Sequence, residues 1–128
     1  MPVELNHTIV AARDKREAAE FTATILGLRV GPPFGPFLPV ETSNGVTLDF
    51  MDSDADPIAA QHYAFLVSEE DFDATFERIR QAGIAYYADP GHRERGRINH
   101  HDGGRGLYFA DPNGHNLEII TRPYGSGG

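Results

Sequence analysis

The alternation of apolar and polar positions divides the chain into two stretches with the same order of elements. Residues 5–12 alternate with period two, with Leu5, His7 and Ile9 on one side and Asn6, Thr8 and Val10 on the other, as in a strand. Asp14-Lys15-Arg16-Glu17 sets a side-chain acceptor three residues before a glutamate, which is a capping box. Ala18, Phe21 and Ile25 then recur at spacings of three and four, the stripe of a core-facing helix, and Gly27 stops it. Leu28-Arg29-Val30 is strand-like. The prolines at 32, 33 and 36 keep the next stretch out of any central strand. Phe37 to Thr42 and Val46 to Met51 read as a hairpin turned at Asn44-Gly45, because both turn residues tolerate positive φ.

After a polar run, Asp52-Ser53-Asp54-Ala55-Asp56-Pro57, the plan starts again. The run lacks the glycine and terminal glutamate of a calcium loop, so it reads as a solvated linker. Residues 61–67 form a strand. Ser68-Glu69-Glu70-Asp71 opens a helix striped by Phe72, Phe76 and Ile79, and Gly83 closes it. Ile84 to Ala88, Leu107 to Ala110 and Leu117 to Thr121 supply further strands. Each copy is β-α-β-β-β, so the fold class is α+β. The expected organisation is one domain over residues 1–122, with module one at about 4–52, a linker at 53–59 and module two at about 60–122. Residues 123–128, which end in Gly-Ser-Gly-Gly, are expected to be a flexible tail.

The repeat extends to polar residues. His7 opens the first copy and His62 the second. Asp49 lies five residues after Asn44, and Glu118 lies five residues after Asn113. A carboxylate between Leu117 and Ile119 can face water from an edge strand or can serve a metal. The matched offsets favour the metal, because two modules related by a pseudo-two-fold bring equivalent positions together as four potential ligands. The Asn113-Gly114 turn also sets a register. A two-residue loop would pair Glu118 with Phe109, whereas a five-residue loop from Asp111 to His115 pairs it with Tyr108. Pro112 lacks an N–H and favours the longer loop, which aims Tyr108 into the cleft within reach of a bound oxygen. His115 reads as a turn residue.

Composition narrows the chemistry. No cysteine is present among the 128 residues, which removes disulfides, thiolate ligands and a cysteine nucleophile, and suits a reducing cytoplasm. The net charge of −8 argues against nucleic acid as a partner. No run of eighteen apolar residues offers a membrane span, and no basic-then-apolar start marks a secretory signal. Any metal must be held by His and Asp/Glu, which suits Fe(II), Mn(II), Ni(II), Co(II) or Zn(II). The second copy is 14 residues longer before its carboxylate, and the excess falls around Gly91 to Gly104. That loop carries His92, Arg93, Arg95, Arg97, His100 and His101. It reads either as solvated surface or as a glycine-hinged lid that draws in an anionic substrate.

Leu5-Asn6-His7, Ile25-Leu26-Gly27-Leu28, His62-Tyr63-Ala64-Phe65 and Tyr108-Phe109-Ala110-Asp111-Pro112-Asn113-Gly114-His115-Asn116-Leu117-Glu118 together resemble the vicinal oxygen chelate superfamily. Its members include glyoxalases, extradiol dioxygenases, fosfomycin-resistance thiol transferases and bleomycin-binding proteins. The resemblance covers about residues 4–122. It implies two βαβββ modules curled into a mixed-sheet cleft with helices outside, within a homodimer. It implies His7, His62 and Glu118 as ligands of one divalent metal, with Fe(II) favoured, and a small oxygenated substrate held at that 2-His-1-carboxylate site. Tyr108 would donate a hydrogen bond to substrate, and Asp49 would be a water-linked ligand or base. Arg95, Arg97, His100 and His101 would bind substrate. The branch it points to is the metal-dependent dioxygenase or lyase one. A fosfomycin-type thiol transferase and an antibiotic-sequestering protein without turnover are the alternatives.

Overall fold

A computed structural model of the chain describes residues 2–127. The protein is α+β and divides into two compact units, residues 1–59 and 60–128, each a βαβββ-like module carrying one mixed sheet. No helix among the described residues is long and apolar enough to cross a membrane.

In the first unit, β1 (His7–Ala12) leads into α1 (Lys15–Leu26), then β2 (Phe37–Glu41) and β3 (Thr47–Asp52). Asp14 caps α1 by accepting from the amides of Arg16 and Glu17, and Gly27 stops it in the left-handed region at φ 72°. The sheet order is β1-β3-β2, with β1 parallel and β2 antiparallel to β3. Val10, Ala12, Leu38, Val40, Leu48 and Phe50 are buried with Ala18, Ala19, Ala23 and Ile25 of the helix. The expected strand at Leu28–Val30 shrinks to a single bridge between Val30 and Val40. The Gly31 amide still donates to the Pro39 carbonyl at 2.8 Å, and Pro32 and Pro33 then offer none.

In the second unit, β4 (His62–Leu66), α2 (Glu69–Gln81), β5 (Tyr86–Tyr87), β6 (Gly106–Ala110) and β7 (Asn116–Ile120) form a sheet of order β4-β7-β6-β5. Ser68 caps α2 through the amide of Asp71. Phe72, Ile79, Leu107, Phe109, Leu117 and Ile119 are buried, most of them completely. Phe76 is half-buried, edge-on to both Phe72 and Tyr86.

Both hairpins turn through five-residue loops, residues 42–46 and 111–115, with Asn-Gly at the third and fourth places. Gly45 and Gly114 take φ 83° and 86°, a region that suits only glycine well. The second loop is held by Asp111. Its Oδ1 accepts from the amides of Asn113 (2.9 Å) and His115 (2.8 Å). The result pairs Tyr108 with Glu118, the register expected from the longer loop. His115 is more than a turn residue. It is completely buried, its Nδ1 accepts from the Gln61 amide at 3.0 Å, and it fixes the start of β4 beside β7.

Phe109 is completely buried in this second sheet. Phe109→Ala is expected to cost about 3–5 kcal/mol, read as a lower urea midpoint with an unchanged slope.

Candidate functional site

The second unit places two strands so that a histidine and a glutamate meet. In the parallel pairing of β4 with β7, Ala64 lies beside Glu118. His62 stands two residues earlier on the same face, because side chains alternate along a strand. From there its Nε2 reaches Glu118 Oε1 at 2.9 Å. His62 keeps 45% of its side chain in solvent, whereas Glu118 keeps 1%. The pair therefore has one wet end and one buried end.

Tyr108, directly across from Glu118 on β6, presents its ring edge to His62 with centroids 5.7 Å apart. Its hydroxyl is 2.9 Å from that of Tyr124, and the Tyr124 hydroxyl donates a short hydrogen bond to Glu118 Oε2. Burial, then the neighbouring Tyr124 hydroxyl and Glu118 carboxylate, push the Tyr108 phenol far above its ordinary range. It remains a protonated donor at neutral pH. Tyr124 is raised as well, first by desolvation and then by its bond to Glu118.

The first unit repeats the register with a different outcome. Ile9 lies beside Asp49 in the parallel pairing of β1 with β3, so His7 stands in the same relation to Asp49 as His62 does to Glu118. Asp49 is one methylene shorter than glutamate, and no hydrogen bond joins it to His7 among the described residues. The His7 ring, which is exposed, donates from Nδ1 to Asn6 Oδ1 at 2.8 Å. That bond leaves Nε2 with its lone pair free, the tautomer a metal ligand needs. Asp49 is 9% exposed.

The donor set suits a hard to borderline divalent ion. Glu118 is a nearly inaccessible carboxylate, and its oxygens meet only an imidazole and a phenol in these contacts. Neither partner is a permanent cation, so a divalent ion would balance its charge better than they do. Imidazole with carboxylate fits Fe(II), Mn(II), Co(II), Ni(II) or Zn(II). Among the described residues of this chain, no group of three His, Cys, Asp or Glu side chains is gathered as a metal site. The closest approach to one is the pair His62–Glu118.

The basic loop is anchored by its acidic and amide groups. Asp89 accepts from the amides of Arg93 and Glu94, and Asn99 Nδ2 donates to the Ala88 carbonyl. His92 stacks flat on Tyr87, with centroids 4.2 Å apart, and its Nε2 is 2.8 Å from Asn116 Oδ1. Arg95, Arg97, His100 and His101 are exposed. Tyr124 was invisible to sequence reasoning, which placed it in the expected tail. Over 123–127 the segment is instead set against β6, β7 and Asp102. Gly128 lies outside the described residues. A tyrosine six positions after Glu118 carries no pattern that would have singled it out.

This chain belongs to the glyoxalase/bleomycin resistance protein/dioxygenase superfamily, whose family model matches residues 4–119. Among solved structures it is similar to the oxidase ChaP-H2, with 68% identity, all of both chains covered and a TM-score of 0.97. It is also similar to the oxidase ChaP-H1, with 57% identity, 97% of this chain and 99% of that one covered, and a TM-score of 0.94. A more distant relative is the glutathione transferase FosA of Serratia marcescens, 28% identical over 90% of this chain and 78% of the relative.

The bonds to Glu94 and Arg93 amides hold the Asp89 carboxyl below its ordinary value of 3.8. A depressed folded-state value adds stability above the unfolded value and loses it as pH falls through the folded one. Asp89→Asn is therefore expected to lower stability at pH 7, and its deficit relative to the native protein should shrink toward pH ~2, as read by urea unfolding at several pH values.

Proposed function

We propose that the protein is a divalent-metal-dependent oxidase acting on a small oxygenated organic molecule. The observation that carries this reading is the His62–Glu118 pair, with the Tyr108 phenol on the same sheet face. Whole-length likeness to the ChaP-type oxidases supports the oxidative branch over the lyase and thiol-transferase branches.

His62, Glu118 and His7 would hold the ion, whichever copy of the chain supplies His7, and a homodimer is the assembly we propose. When bound, the ion supplies Lewis acidity toward two adjacent oxygens of a substrate and, if iron, a redox centre for reaction with dioxygen. The chain's own groups do the rest. Glu118 brings its charge from a strand interior, so it needs little reorganisation. His62 would offer the ion the Nε2 that now faces Glu118. Tyr108 keeps its hydroxyl proton and donates a hydrogen bond to a developing oxyanion. Asp49, on the corresponding strand of the first unit, is a water-linked ligand or base. Arg95, Arg97, His100 and His101 give the 91–105 loop a positive face toward an anionic substrate in a chain of net charge −8. The lack of cysteine suits the cytoplasmic setting expected from the sequence.

Glu118→Gln and His62→Ala are expected to lower Fe(II) or Mn(II) stoichiometry from about one per chain to near zero, measured by elemental analysis after desalting. Oxygen consumption with a panel of catechols should be restored by Fe(II) in the native protein only. Native protein that takes up none of the five divalent ions would sink the enzyme reading and favour sequestration. In oxygen-uptake assays, Tyr108→Phe should cut kcat by about 10²–10³ while metal content stays native. Charge reversal at Arg95 and Arg97 should raise KM in a salt-sensitive way.

A further inference from the structure

The Tyr124 hydroxyl lies on the carboxylate from which the proposed ion would be held. The residue is 57% exposed, yet its hydroxyl reaches Glu118 Oε2 and stands 2.9 Å from that of Tyr108. Little else secures it. The last ladder contact before it is Thr121, whose amide donates to the Arg105 carbonyl at 2.9 Å. Beyond that, Ser126 turns back on the Pro123 carbonyl through Oγ (2.6 Å) and its amide (3.2 Å). Arg122 Nη2 donates to the Ser126 carbonyl at 3.3 Å. The far end is pinned at one point, where the Gly127 amide donates to Asp102 Oδ1 at 3.3 Å. There Gly127 presses on the Asp102 backbone so closely that a Cβ would collide with its carbonyl. Residues 122–126 are all exposed. A segment held by a few solvent-exposed hydrogen bonds opens at small cost.

We propose that Pro123–Gly127 is a strap that caps Glu118, with Tyr124 as its latch, and that a divalent cation and the strap compete for the Glu118 carboxylate. This rests on the reading of Glu118 as a metal ligand. The phenol gives Oε2 the donor it would otherwise lack without the ion, as His62 does for Oε1. A cation bound at that carboxylate draws on the same lone pairs. The hydroxyl then leaves Oε2, and the strap loses the inward contact that holds it beside Tyr108. Asp102 adjoins His100 and His101, so release of the strap also frees one edge of the basic loop.

The test is calorimetric titration of Mn(II) into the metal-free protein and its Tyr124→Phe, Gly127→Ala and Glu118→Gln variants, with hydrogen exchange followed at the amides of residues 124–127. Tyr124→Phe should bind Mn(II) about tenfold more tightly, from loss of one competing hydrogen bond to a charged acceptor. Gly127→Ala keeps the phenol and unseats the far end, so it should tighten binding by a smaller factor. Saturating Mn(II) should speed exchange at 124–127 in the native protein. Equal or weaker binding by Tyr124→Phe, with Glu118→Gln still defective, overturns the strap and leaves Glu118 a ligand. Native-like binding by Glu118→Gln, or no binding by the native protein, overturns the metal reading and the strap with it.

Discussion

A carboxylate that is almost wholly withdrawn from water governs the second unit. Moving an ionised group from water into a protein interior costs several kcal/mol unless partners replace its hydration. Glu118 meets that demand with the His62 imidazole and the Tyr124 phenol, and with Tyr108 one bond further on. The cluster joins β4, β6 and β7 on one sheet face to the segment that follows β7. Nothing in the packing of Leu107, Phe109, Leu117 and Ile119 requires an acid at that position, since those residues occupy the opposite face.

Turn chemistry makes the cluster possible. A strand that slips by one residue sends every side chain to the other face. The five-residue loop closed by Asp111, with Gly114 in the left-handed region, prevents that slip between β6 and β7. His115, buried and bonded to the Gln61 amide, sets β4 against β7 at the same end. Two local devices therefore position three strands. The first unit carries the equivalent loop at 42–46 and the equivalent parallel register, and so puts His7 and Asp49 on one face. There the shorter carboxylate and the Asn6 contact leave the histidine unpaired with the acid. The two halves share a register, but across from the acid the first has Pro39 where the second has Tyr108.

The basic loop shows how charge and structure separate. Its shape comes from Asp89, Asn99 and the His92–Tyr87 stack, all of which bond within the loop or to its flanks. Arg93, Arg95 and Arg97 are left exposed, where a field acts on an approaching ion more than on the fold.

Periodicity, capping and turn residues are local properties, and they were legible along the chain. The two α-helices, the Asn-Gly hairpins, the β-α-β-β-β order and the pairing of Tyr108 with Glu118 all follow from spacings of two, three and four residues and from the missing N–H of Pro112. The likeness to a superfamily was legible for the same reason, since its motifs sit on those elements. What needed the fold was any contact that no spacing encodes. The Leu28–Val30 strand reduced to one bridge, at the point where Val30 meets Val40. His115 became a buried acceptor, and Tyr124 arrived at Glu118 from a stretch whose glycines and serine suggested no structure at all. Such contacts join residues by the path of the chain through space, and only the tertiary structure decides that path.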